Sequence, residues 1–201
     1  MIGDDRLDAL RTSVERLRRL VEPMDDEGIT APAYPSEWTI AQVLSHLGSG
    51  AVITRRSLDD VIAGTPTPEA FTPSVWDAWN GKSLRAQADD ALAADAELMT
   101  RLQTVTDDER SRFSFSLGPL TLDFEGFVGL RLNEHALHTW DIQVAGDPDA
   151  ILPPDPPPSS STTSSSSPGS RPRAARRRRS RSTRRTPIGT SPSRSPPNGR
   201  R

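Results

Sequence analysis

Apolar residues recur at helical spacing in four stretches of the chain. From Asp5 to Val21, the residues Leu7, Leu10, Val14, Leu17 and the pair Leu20/Val21 fall at steps of three and four, one stripe of an amphipathic helix. Pro23 stops it. After a loop with Pro32 and Pro35, Thr39 and Gln42 have the spacing of a capping box. Ile40, Val43, Leu44 and Leu47 then supply the apolar face of a second helix, which runs to Ala63 and ends at Gly64. A third helix is predicted from Ser83 to Leu102, with Leu84, Ala88, Ala91/Leu92 and Leu98/Met99 facing inward. A fourth is predicted to take Thr121 as its N-cap, to carry Asp123 and Glu125 in its first turn, and to close at Ala145 and Gly146.

The connections are less regular. Thr65 to Gly81, rich in Pro, Thr and Trp, reads as a long loop. Arg112 to Leu117 alternates polar and apolar residues, the pattern of a short extended segment before Gly118 and Pro119. Four helices of roughly 18–25 residues make an all-α chain with a four-helix bundle.

Composition divides this picture in two. The 201 residues carry a net charge of −2, but residues 1–155 hold all 27 acids and 13 bases, whereas 156–201 hold 12 bases and no acid. From Pro156 onward the hydrophobic residues are Ala174, Ala175 and Ile188. A segment of that composition cannot bury enough apolar surface to offset its backbone entropy. The expected organisation is a bundle over 1–150 and a disordered Pro/Ser/Arg-rich tail over 151–201. The tail has two readings. Arg176 to Arg179 suit an arm that contacts nucleic-acid phosphates. The favoured reading is a GC-rich gene read out of frame, because every acid and nearly every apolar residue vanish abruptly.

The absence of cysteine excludes a disulfide framework, a thiolate metal cluster and a cysteine nucleophile. The acidic start lacks the apolar core of a signal peptide, and no apolar run approaches the ~18 residues of a membrane span. The expected location is the cytoplasm.

The three histidines fall on two predicted helices. His46 lies among Val43, Leu47 and Ile53, and the small residues Gly48, Ser49, Gly50 and Ala51 follow it, which would leave room beside the imidazole. Glu134 and His138 stand four apart, on one helix face with Phe127, Leu130, Leu137 and Ala145, where the bundle core should be. One His on one helix and Glu-x3-His on another make a His2Glu set, the three-ligand pattern of catalytic zinc sites. The competing reading is a satisfied core histidine and a surface pair. His135 points about 100° away from Glu134 and is expected at the surface or behind the ligands. Asp141 can orient the His138 ring or stand as a surface acid. Arg131, a weak catalytic candidate, can pair with Glu134 or bind an anionic substrate. Trp38, Trp76, Trp79 and Trp140 read as packing groups, with Trp76 and Trp79 placed to cover a pocket.

Residues Trp38 to Leu47 (Trp-Thr-Ile-Ala-Gln-Val-Leu-Ser-His-Leu) resemble the Trp-Thr/Ser-x-x-x-Val-Leu-x-His-Leu segment of the DinB-like metal-dependent thiol transferases. Leu130 to Asp141 resembles the Arg-x-x-Glu-x-x-x-His-x-x-Asp segment of one branch, the mycothiol-dependent maleylpyruvate isomerase family of actinobacteria. The resemblance covers about residues 5–155. It implies a DinB-like bundle that binds a divalent metal, usually zinc, through His46, Glu134 and His138. It also implies mycothiol as the thiol cofactor and a transferase or isomerase acting on a small-molecule electrophile. The bacillithiol branch has a histidine where Glu134 stands, so Glu134 points to the mycothiol side. Longer members carry a C-terminal domain after a linker like the stretch from Asp147 to Asp155. The alternative is a non-catalytic metal- or ligand-binding bundle whose basic tail binds nucleic acid.

Overall fold

The computed structural model describes residues 5–34 and 36–152, and the expectations for the Pro/Ser/Arg-rich tail lie outside the described residues. Four long helices form the bundle: α1 (Asp5–Val21), α3 (Ile40–Ala63), α5 (Leu84–Gln103) and α7 (Phe124–Gly146). Three short helices, α2 (Asp26–Thr30), α4 (Phe71–Asn80) and α6 (Asp107–Arg112), and a hairpin of β1 (Phe115–Leu117) and β2 (Leu120–Leu122) fill the connections. α1 and α3 each pack against both α5 and α7, so α1 and α3 face each other across the bundle. No helix among the described residues is long and apolar enough to cross a membrane.

The caps follow the sequence in most places. Thr39 and Gln42 form the capping box of α3, and Gly64 ends that helix at φ 67°, where a side chain would be strained. Ser83 caps α5. Three expectations are corrected. Asp123, not Thr121, is the N-cap of α7; its carboxylate accepts from the Gly126 amide, while Thr121 pairs with Ser116 in the hairpin. Gly146 is the last helical residue of α7, and extended Asp147 ends it. The presumed loop 65–81 contains α4. Pro73, which reads as a breaker, sits in the first turn of α4, where a missing N–H costs nothing, and Val75 and Trp79 are buried one turn apart. The extended segment is shorter than its pattern and covers Phe115 to Leu117.

The core has two apolar halves. One joins Leu17 and Val21 of α1, Ile40 to Leu47 of α3, Ala88 and Ala91 of α5, Trp79 and Ile142. The other joins Leu7 and Leu10, Ala51 and Leu58, Leu98 to Leu102 and Phe124 to Leu132. Of the inward positions expected on α5, Leu84 is exposed instead. Gly48 is where α3, α4 and α5 meet. A Cβ there would lie 2.2 Å from the Trp79 ring and 2.9 Å from the Ala91 backbone. Gly48 thus makes room for Trp79 and Gly50 for the Arg131 guanidinium, while Ser49 lines the cleft beside His46.

At the end of α3, Asp60 accepts from Thr67, Thr65 and Arg56. The Thr67 hydroxyl, with Arg56 and Thr65 behind it, holds the carboxyl below its usual range against the cost of burial. A depressed carboxyl stabilises the fold above its ordinary titration range and loses that contribution as pH falls through its folded value. Asp60→Asn should therefore flatten the acid side of a stability–pH curve from urea melts. In the same assay at neutral pH, Gly48→Ala should cost about 1–3 kcal/mol by forcing Trp79 or the α5 backbone to shift.

Candidate metal centre

Between the two apolar halves lies a polar layer. Asp95 on α5 is fully buried and takes the Arg131 guanidinium at 2.7 Å and the His135 Nε2 at 3.0 Å. Arg131 also donates to the Leu47 carbonyl at 2.9 Å. A carboxylate only accepts, so His135 donates from Nε2; its Nδ1 lies 2.8 Å from the Ser13 hydroxyl and 3.2 Å from that of Thr139. Burial opposes the Asp95 charge, but Arg131 and His135 outweigh it and hold the carboxyl below its ordinary value.

This layer corrects the expected orientation of α7. Its buried stripe runs through Phe127, Val128, Arg131, His135, Thr139 and Ile142. His135 is therefore a core residue, not a surface one, and Arg131 pairs with Asp95 rather than Glu134. Glu134, Leu130, Leu137 and Ala145 are exposed, and His138 is half-buried. Glu134 and His138 thus sit at the rim of the core, facing α3.

There they meet His46. One ligand atom from each of His46, Glu134 and His138 lies within 4.8 Å of the others. His46 Nε2 is 3.5 Å and His138 Nε2 3.8 Å from the same Glu134 oxygen, Oε2. The His46 and His138 rings stand edge to face at 4.6 Å. Asp141 accepts from His138 Nδ1 at 2.9 Å, which leaves Nε2 with its lone pair toward Glu134. Burial pushes the His46 imidazole below its usual pKa, and His138 adds to this against the pull of Glu134. Neutral imidazoles are the form that binds a cation. Tetrahedral zinc with bonds near 2.0–2.1 Å sets its ligand atoms about 3.3 Å apart. The two spacings to Glu134 Oε2 are slightly wider and long for hydrogen bonds, and all three atoms lie within 4.8 Å, so the donor set can close on a divalent cation.

A cleft of about 370 Å³ opens beside His46. Trp38, Gln42, Ser45, Ser49, Trp76 and Asn80 line it with that histidine. Trp76 is half-exposed at this cleft, as its loop position suggested, whereas Trp79 is buried in the core. The segment carrying Trp38 is tied to α7 by the Tyr34 amide, which donates to the Asp141 carbonyl, and by Tyr34 packing on Trp140.

Sequence reading missed Asp95, although a signal was present. It interrupts the inward stripe Ala88, Ala91, Leu98, Leu102 at helical spacing, and a lone acid there requires a buried partner. It placed Trp76 at a pocket but did not foresee that this wall, with Asn80, stands on a helix, α4, opposite α3.

The fold is a DinB-like four-helix bundle, and the site is a His2Glu cluster on two of its helices. The chain belongs to the family of the mycothiol maleylpyruvate isomerase N-terminal domain, whose model matches residues 10–143. Among solved structures it is similar to the mycothiol-dependent maleylpyruvate isomerase, at 15% identity and TM-score 0.59. A histidine-to-alanine mutant of that enzyme matches equally. The match covers 69% of this chain and 59% of the isomerase, so the chain spans less than two thirds of that relative. YfiT from Bacillus subtilis, described as a probable metal-dependent hydrolase with an unusual four-helix bundle topology, matches at 18% identity and TM-score 0.53, over 71% of this chain and 85% of YfiT. No curated protein matches the sequence significantly.

The polar layer makes a quantitative prediction. Asp95→Ala leaves the Arg131 charge buried and uncompensated and should cost about 3–5 kcal/mol in urea unfolding. Adding Arg131→Met to that variant should recover much of the loss, a coupling read by a double-mutant cycle.

Proposed function

We propose that the chain binds one divalent metal, zinc, through His46, Glu134 and His138, and uses it to activate mycothiol for attack on a small-molecule electrophile. The observation that carries the reading is the convergence of both Nε2 atoms on one Glu134 oxygen beside an open cleft. When bound, zinc supplies the positive charge that brings a thiol pKa into the neutral range.

The chain's own residues do the rest. Asp141 holds His138 in the tautomer that leaves Nε2 free. Burial lowers the His46 pKa and so favours its neutral, ligating form. The cleft places a second reactant against His46. Because the chain has no cysteine, the sulfur nucleophile comes from a small molecule. The reaction class is addition of sulfur to an electrophilic carbon. For a cis–trans isomerisation the same thiol leaves again; for a transfer it stays.

Metal analysis of the purified full-length chain should give about one zinc per chain. Occupancy should be lost in His46→Ala and His138→Ala, and Asp141→Asn should weaken metal affinity roughly 10- to 100-fold. Full occupancy in either histidine variant would refute the ligand assignment.

A further inference from the structure

The cleft beside His46 also carries information about the second reactant. Its walls are two half-exposed indoles, Trp38 and Trp76, with the hydroxyls of Ser45 and Ser49 and the amides of Gln42 and Asn80. Part of the polar lining is already engaged. Ser49 donates to the His46 carbonyl, and Gln42 Oε1 accepts from the Thr39 amide. The Asn80 amide is a neutral donor and acceptor, and the Gln42 Nε2 group a neutral donor.

Among the described residues, no Lys or Arg lines this cleft. The cation that sequence reading offered for an anionic substrate, Arg131, is buried in its contacts with Asp95 and the Leu47 carbonyl. Lys82, two residues beyond Asn80, is held by Asp90 at 2.7 Å and lies over the Trp79 ring. Negative charge is present instead: Glu134 contacts His46, and Asp141 contacts His138. These two carboxylates balance the charge of one divalent cation, so the loaded site offers no net positive charge to a dianion.

Maleylpyruvate is a dicarboxylate. Moving a carboxylate from water to an aromatic-walled cleft without a cationic partner is costly, whereas an ester, amide or ketone loses little there and gains apolar contact with the indoles. We infer that the Trp38–Trp76 cleft selects an uncharged electrophile over a dicarboxylate. This specificity rests on the function proposed above, because it assigns the second reactant of that site.

Dimethyl maleate and maleate share one carbon skeleton and differ in charge, so they test the inference. The full-length chain, metal-free and zinc-loaded, is titrated with each while the indole N–H signals of Trp38 and Trp76 are followed by NMR. The diester should shift both signals and bind roughly tenfold or more tightly than maleate. Trp38→Ala should weaken diester binding about tenfold. Asn80→Lys, at an exposed position, should swing the preference toward maleate. Maleate binding as tight as the diester, or a diester that leaves both indole signals unmoved, would overturn the inference. Thiol consumption measured beside the titrations separates the two claims. Selective diester binding without zinc-dependent thiol consumption would leave the cleft assignment standing and remove the proposed reaction. Thiol addition to maleate as fast as to the diester would do the reverse.

Discussion

The meeting of Asp95 with Arg131 and His135 fixes how the bundle is put together. It lies at the seam between two apolar halves, and each of its members comes from a helix that must reach it. A helix rises about 5.4 Å per turn. Sliding α7 by one turn would place a guanidinium against Leu98 or Ala91 instead of Asp95, and would strand the carboxylate. Buried ion pairs contribute little net stability compared with apolar packing, but mismatching one is expensive. The layer therefore acts on register. Glu134 lies between Arg131 and His135 in sequence, and His138 one turn beyond, so fixing the inner face of α7 fixes where its rim residues stand against His46.

The sequence was informative where local rules decide the structure. The stripe of α1, the capping box at Thr39 and Gln42, and Gly64 as a left-handed stop follow from spacing and backbone chemistry alone. The three clustered donors were also legible, through two histidines at matching motif positions and Glu134 one turn before His138. What could not be read came from contacts across the fold. Arg131 and His135 look polar in a periodicity count, so the inward face of α7 was centred on Glu134 and His138. The partner that turns Arg131 and His135 inward is Asp95, some forty residues away on α5. Thr121 is an acceptable N-cap locally, but pairing with Ser116 takes it into the hairpin, and Asp123 assumes the role.

Gly48 links core packing to the cleft. The space its missing side chain leaves is filled by Trp79, which anchors α4 against α3. With α4 seated, Trp76 and Asn80 come to stand opposite Ser45 and Ser49. Local pattern gives no hint of this, because Pro73 hides the helix and the buried pair Val75 and Trp79 is too short a stripe to announce one. A glycine chosen for space, rather than for backbone freedom, thus shapes a wall of the site.

The separation of tasks between the two polar clusters bears on what the donor set is for. A structural zinc site closes its coordination with four protein ligands and supplies folding energy. Here the described donors number three, and the side chains of His46 and Glu134 are 40% and 48% exposed. The register of the bundle rests on the buried Asp95 layer, which needs no metal. A cluster of three donors, partly exposed and adjoining a cleft, has the form of a site that keeps a position for an incoming ligand. On the function proposed above, and in a chain without cysteine, that open position is where a thiol from outside would enter, and the cleft beside it is where the thiol's partner would lie.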